Sequence, residues 1–274
     1  MAVWEAMFLA GTLTAYFCAG CLYLLNWLRP RPLAGKLAAL STFIGWSANT
    51  LILAVRTVTA GHAPLTGSYE FGLLVVWGLI ALHLYWKSCS RRAFGQFILP
   101  AAFLLTGVAV CFYRQAGPLL PALKSNWLLL HVMAALTAYV SLVISFVLAL
   151  AYLCRLRWEE KNGTMPAAIA ALPDLGTLDT LVEQAIRTAL PLLTLAIGSG
   201  AVWAENVWGT YWNWDPKETW SLITWLVYTI YLHGRTVLHW RGKQAIHWVI
   251  AGFMVLLFTF IGVTLVLPGL HGYG

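Results

Sequence analysis

An all-α polytopic membrane protein, with about eight transmembrane helices and both termini on the outer (periplasmic or lumenal) side, is the fold class this sequence predicts. Three observations predict it. Of the 274 residues, 60% are hydrophobic and only 10% are charged, against about 25% charged residues in an ordinary soluble protein. A core of this size cannot hide so many apolar side chains, so lipid must be the solvent for most of them. The apolar residues also fall into runs near the ~20 residues that cross a ~30 Å hydrocarbon core. Finally, 13 of the 17 Lys and Arg residues sit in one alternate set of loops, which the positive-inside rule assigns to the cytoplasm.

The eight runs are 5–28, 37–55, 70–86, 96–113, 127–154, 187–204, 218–234 and 247–267. The first opens on Met1-Ala2-Val3-Trp4-Glu5, without a positive flank, and runs about twenty-three residues to Arg29. A cleaved signal has a shorter apolar region of roughly 7–15 residues, so this run is expected to remain as a spanning helix. The seventh run is the least apolar. No internal repeat is evident, and one integral membrane domain over 1–274 is the simplest organisation. Arg29, Arg31 and Lys36; Lys87, Arg91 and Arg92; Arg155, Arg157, Lys161 and Arg187; and Arg235, Arg241 and Lys243 mark the cytoplasmic loops, while Arg56, Arg114, Lys124 and Lys217 lie on the other side. The longest loop, 155–186, is therefore cytoplasmic. It starts charged and turns amphipathic at Leu178-Asp179-Thr180-Leu181, where a short interfacial helix is expected.

The net charge of +7 does not indicate nucleic acid. The basic residues form short clusters between apolar runs, which is membrane topology, and the basic stripe of a nucleic-acid site is missing. Cys18 and Cys21 have C-x-x-C spacing, but they fall in the inner half of the first run and no His follows them. Apolar packing is the expectation for these two and for Cys89, Cys111 and Cys154.

The stretch AENVWGTYWNWDPKETWSLITW, 204–225, stands apart. It covers most of the expected external loop, 203–220, and runs on into the seventh apolar run. Asp215-Pro216-Lys217-Glu218 reads as a helix start, with Asp at the N-cap, Pro at N1 and Glu at N3. Tryptophan is also enriched where membrane meets water. Such a belt spreads over many helix ends, however, whereas Trp203, Trp208, Trp212, Trp214 and Trp220 crowd one loop with Tyr211. A broad aromatic platform suits a large planar ligand such as haem, whose iron most often takes His as its axial ligand. His131 lies one turn inside the outer start of the fifth run, and His271 lies in the outer tail. Both share the depth of the Trp loop. A membrane histidine is often a hydrogen-bonded packing residue, but intramembrane ionisable groups are functional candidates by default. His233 follows Asp215 by 18 residues, so at 1.5 Å per residue it sits roughly 27 Å deeper, where a second, inner site is the candidate. His83, His239 and His247 read as packing or interfacial residues. His62 faces out beside Arg56.

WGTYWNWDPKETW resembles the WWD signature of the haem-handling proteins of cytochrome c maturation. With its Tyr and its DPKETW, it looks like the CcsA (ResC) type of the System II cytochrome c synthase family. GHAPLTGSYEF, NWLLLHV, LPDLGTLDTL, PLLTLAIGSGAVWAENVWG, WLVYTIYLHGR and GLHGYG recur there in this order. The resemblance implies that His131 and His271 are the two external axial ligands of haem b iron. It also implies a haem-binding WWD loop, which contains Trp203, Trp208, Tyr211, Trp212, Trp214 and Asp215. His233 matches a histidine of the inner site where haem arrives, and the second histidine of that site comes from a CcsB/ResB-type membrane subunit. This chain has no such extension, so it is expected to need that partner.

The activity so implied is that of a holocytochrome c synthase, exercised as part of a complex. Haem b arrives from the cytoplasmic side, is presented outside, and is joined by thioether bonds to the CxxCH motif of an apocytochrome c, whose thiols are kept reduced by other proteins. The membrane would be a bacterial cytoplasmic (inner) membrane or a thylakoid-type membrane. The haem-transfer branch of the family usually has Trp where Tyr211 stands, so the Tyr favours the synthase branch. Glu183-Gln184 depart from the Tyr-Arg pair expected in the cytoplasmic segment. Two other functions compete: a haem exporter with no ligation chemistry of its own, and a b-type electron-transfer cytochrome.

Overall fold

The computed structural model describes residues 3–90, 94–118, 121–161 and 164–267. Its helices are α1 (Val3–Leu28), α2 (Pro32–Ala60), α3 (Ser68–Ser90), α4 (Gly95–Val110), α5 (Asn126–Glu159), α6 (Ala167–Ala170), α7 (Leu175–Trp208), α8 (Pro216–Thr236), α9 (Lys243–Leu257) and α10 (Val263–Val266). A π-helical turn, Phe258–Gly262, joins α9 to α10. No strand occurs among the described residues, and the fold is that of an all-helical, polytopic membrane protein. Each of the eight apolar runs falls on a helix. Six stretches are both long and apolar enough to cross a membrane: α1, α2, Ser68–Lys87, α5, α7 and Lys243–Val266. Of the other two, α4 has only 16 residues, and α8 has 21 but carries more polar groups.

The chain forms two compact units. One comprises Met1–Pro118 and Leu150–Leu175. Lipid tails are as apolar as leucine, so helices in a membrane associate through close packing and polar contacts rather than through hydrophobic burial. This unit uses both. At Gly45 of α2 a Cβ would stand 2.6 Å from the Tyr16 ring of α1, so only glycine admits that approach. Asn49 of α2 donates to the Leu73 carbonyl of α3 at 3.1 Å. Near one end of α2, Arg56 is buried between Glu5 (2.7 Å) and Glu70 (3.0 Å) and donates to the Arg114 carbonyl at 2.9 Å. Two carboxylates and a carbonyl offset the desolvation cost that a buried guanidinium carries. Trp27 of α1 donates to the Ala168 carbonyl of α6 at 2.6 Å.

The other unit comprises Leu119–Ala149 and Gly176–Gly274. Here α8 packs on α9, where a Cβ at Gly252 would meet the Tyr228 ring at 2.8 Å. The rings of Phe146 on α5 and Phe253 on α9 stack at 4.0 Å. The short interfacial helix expected near residues 178–181 is not separate: it is the first part of α7, which runs unbroken for 34 residues. At 1.5 Å per residue that is about 51 Å, well over the membrane's apolar thickness. Leu178, Val182, Ile186 and Ala189 are buried along it at helical spacing. Asp179 and Glu183 both engage the buried Arg235 of α8, the former at 2.7 Å. Those ion pairs hold the amphipathic segment in register with the apolar helix that follows.

Candidate functional site

All the described members of the expected site lie in this second unit. α7 ends at Trp208, and Gly209 takes a left-handed φ of 75° while its N–H bonds the Glu205 carbonyl at 2.8 Å. That conformation closes a helix and favours glycine. α8 opens with the expected capping box: the Asp215 carboxylate accepts from the Lys217 N–H at 3.0 Å, and Glu218 accepts from the Asp215 N–H at 3.2 Å. The same Glu218 oxygen accepts from the Asn213 N–H at 2.8 Å. One carboxylate therefore grips the backbone on both sides of Trp214.

Trp214 needs that grip. Its φ is 57°, a left-handed conformation that a bulky side chain occupies only under constraint and at a cost of about 1–3 kcal/mol. Its indole stands 70% exposed and Tyr211 is 60% exposed. Trp212 meets Trp214 edge-on at 5.8 Å. At the base of the loop Trp203 is buried, donates to the Ala122 carbonyl at 3.0 Å, and meets Trp208 edge-on at 5.1 Å. Beneath α8's first turns, Trp220 lies 4.3 Å from Phe258, and Thr259 of the π-turn donates to the Trp220 carbonyl at 3.1 Å. The loop is thus a constrained aromatic edge on an anchored base, not a scatter of interfacial indoles.

His131 of α5 is half-buried against α7. Its Nδ1 lies 2.7 Å from the Ala196 carbonyl. A carbonyl only accepts, so Nδ1 carries the proton, and in the neutral ring Nε2 holds the lone pair. A lone pair on Nε2 with Nδ1–H anchored on a carbonyl is the usual state of a metal-binding imidazole. The His131 ring also packs against Gly200. Residues 196, 200 and 203 share one face of α7, and Trp208 lies about 12 Å along the axis from Gly200. The face that holds His131 therefore leads straight to the Trp loop. His271 falls outside the described residues.

His233 is exposed near the far end of α8, two residues from the buried Arg235. Lys217 is half-buried in the first turn of α8. It interacts with the Asp215 charge, and its ammonium makes no hydrogen bond or ion pair among the described residues. In the first unit, His62 presents its two ring nitrogens to the Ala63 (2.8 Å) and Gly117 (3.0 Å) carbonyls. His83 is buried against the Tyr23 hydroxyl at 3.3 Å, as a packing histidine should be. Cys18, Cys21 and Cys111 are exposed free thiols. Cys18 and Cys21 lie on the outer surface of α1, where a thiol behaves as a small hydrophobe in apolar surroundings, whereas Cys111 falls in the turn that ends α4.

Sequence reasoning missed Ala196, Gly200 and the double grip of Glu218. A backbone carbonyl leaves no mark in a sequence, and nothing local separates Gly200 from Gly198. The left-handed turn at Trp214 sits where no glycine announces it.

An apolar helical scaffold that carries a constrained indole edge and, on the same unit, a carbonyl-anchored imidazole defines the class: a polytopic helical membrane protein with an ordered, exposed aromatic loop. Comparison with known proteins gives that class a family. Residues 65–271 match the family described as Cytochrome C assembly protein. The chain is 37% identical over 254 residues to a cytochrome c biogenesis protein CcsA of Guillardia theta, covering 85% of this chain and 84% of that protein. It is 39% identical over 232 residues to the CcsA of Chlamydomonas reinhardtii, covering 82% of this chain and 64% of the relative. With the CcsA of a Picosynechococcus species it shares 35% identity over 282 residues, covering 81% and 83%. The chain belongs to the CcsA-type cytochrome c biogenesis family.

Proposed function

We propose that the chain is the haem-binding subunit of a cytochrome c synthase. It takes haem b from the cytoplasmic side near His233, holds it at an external site, and supports its attachment to apocytochrome c. At that site His131 and His271 are the axial ligands and the Trp203–Trp220 segment receives the porphyrin. The observation that carries the reading is the 2.7 Å bond from His131 Nδ1 to the Ala196 carbonyl, which leaves Nε2 as the ligating nitrogen. Trp208, Tyr211, Trp212 and Trp214 supply flat apolar surface at the same end of α7, with Asp215 fixing the loop's exit into α8.

Of the four cations expected outside, Arg56 is committed to Glu5 and Glu70 and Lys124 is exposed. Lys217, half-buried beside the loop, is the one we assign to a haem propionate.

In the ligation step, each cysteine of a CxxCH segment adds across one haem vinyl group. Sulfur bonds to one vinyl carbon and the thiol hydrogen ends on the other, with no net redox change. The protein contributes orientation of the two reactants. It requires thiols held reduced by other proteins. A CcsB/ResB-type membrane subunit completes the inner site at His233, and the membrane is a bacterial cytoplasmic or thylakoid-type membrane with the Trp loop on the periplasmic or lumenal face.

The test is to purify the chain with its membrane partner as wild type, His131→Ala and His271→Ala, and to measure haem by absorption spectroscopy. Either substitution is expected to abolish most of the external haem signal, with added imidazole restoring it. Full haem content in both variants refutes the ligand assignment. Incubating the wild-type complex with reduced apocytochrome and haem b is expected to give covalent thioethers; transfer of haem without a covalent bond would make the protein an exporter instead.

A further inference from the structure

Resting on the reading of His131 as an axial ligand, we infer that Gly200 is a positioning residue for it. The bare Cα of Gly200 and the carbonyl of Ala196 together fix which imidazole nitrogen meets the iron.

The Nδ1–carbonyl bond is short, 2.7 Å, and its acceptor has no proton to give, so it selects the Nδ1–H tautomer. Next, a Cβ built on Gly200 would stand 2.6 Å from His131 Nδ1 and 3.0 Å from Cε1, where ordinary contact begins near 3.4 Å. Any side chain at 200 therefore drives the ring back by most of an ångström, and the atom it strikes first is the one that makes the bond. Finally, positions 196 and 200 are one helical turn apart on the same face of α7. Carbonyl and glycine thus act on the same edge of one ring: one holds it and the other leaves room for it to be held.

Partners of this kind orient a metal-binding histidine and raise its basicity, and losing one typically costs 10–100-fold in metal affinity. Because the obstructed group is the rotatable end of a side chain, the ring can swing away without unfolding the helix pair. Gly198 provides the control. It lies two residues away on the same helix, and a Cβ there would meet nothing within 4 Å. Alanine at either position raises helix propensity equally, so only the contact with His131 separates the two variants.

The experiment compares wild type, Gly200→Ala, Gly198→Ala and His131→Ala, each purified with the membrane partner. In haem-free protein labelled with 15N-histidine, NMR difference spectra against His131→Ala report the tautomer of His131. The Nδ1–H form is expected in wild type and Gly198→Ala, and its signal is expected to be lost or averaged with the other tautomer in Gly200→Ala. After loading with haem b, Gly200→Ala is expected to retain haem about 10-fold less well, with an altered low-spin spectrum, while Gly198→Ala matches wild type. An Nε2–H tautomer in wild type overturns the inference, as does a Gly200→Ala protein indistinguishable from Gly198→Ala in both measurements. Those failures are distinct from failure of the ligand reading, which falls if His131→Ala keeps its full haem, whatever the tautomer.

Discussion

Single charges behave differently here according to what surrounds them, and Arg56 and Lys217 mark the two extremes. The positive-inside rule predicts an outer position for both, which makes each a candidate partner for a propionate in the function proposed above. Arg56 already faces two carboxylates, Glu5 and Glu70, and its guanidinium lies over the Tyr69 ring at 4.9 Å. It is a clamp between helices. Lys217 makes no ion pair among the described residues and follows the loop that carries Trp214. Lys217→Gln is therefore expected to weaken binding of haem b by roughly 10–150-fold, the equivalent of one charge-assisted hydrogen bond of about 1.5–3 kcal/mol. The variant and wild type should bind haem dimethyl ester, which lacks propionate charges, equally. Titrating both ligands into both proteins checks this, and an equal loss for the ester would remove Lys217 from the propionate role. The capping box at 215–218 was legible in the sequence because its spacing is local. The burden placed on Glu218 was not, since nothing in Asn213-Trp214-Asp215 says that the middle residue turns left-handed and must be held from both sides.

At the scale of elements, α7 shows what pattern reading sees and what it misses. The apolar run from 187 onwards was legible, as was the amphipathic stretch before it, but the two read as separate pieces because charged residues interrupt the apolar pattern. Asp179 read as part of an amphipathic stretch and Glu183 as a departure from the family pattern. Their partner Arg235 lies 56 and 52 residues away in sequence, and no periodicity reports a contact at that range. Arg235 also donates to the Trp240 carbonyl at 3.1 Å, so a single guanidinium ties the start of α7 to the end of α8 and to the turn beyond it. Arg235→Met would leave Asp179 without its cation and Glu183 with Arg187 at 2.7 Å and Arg241 at 3.9 Å, and breaking a buried pair this way costs about 3–5 kcal/mol. Glu183→Gln should cost less, because Arg235 keeps Asp179. The thermal midpoint of the purified protein in detergent is expected to fall clearly in Arg235→Met and only slightly in Glu183→Gln. Equal, small shifts would mean that the cluster is dispensable.

At the scale of the whole molecule, hydropathy made the helical membrane fold legible, and all eight apolar runs are helical. Lys and Arg placement also assigned a side to every loop. That assignment is an electrostatic statement about insertion, and the proposed function depends on it: with 13 of 17 basic residues in one set of loops, the rule predicts that the Trp loop faces away from the cytoplasm, the side on which we propose that the apocytochrome is met. Two exposed residues of the second unit allow a direct check. Tyr211 stands in the Trp loop, and Leu238, in the turn after α8, is 57% exposed. In a chain with its native cysteines replaced, Tyr211→Cys is expected to react with a membrane-impermeant maleimide in intact cells. Leu238→Cys should react only once the membrane is opened. The replacement is needed because Cys111 is itself exposed in the turn that ends α4. The opposite pattern would put the aromatic edge and His131 on the cytoplasmic face. Haem would then meet the indoles before crossing, and the pocket would load haem rather than present it to an apocytochrome.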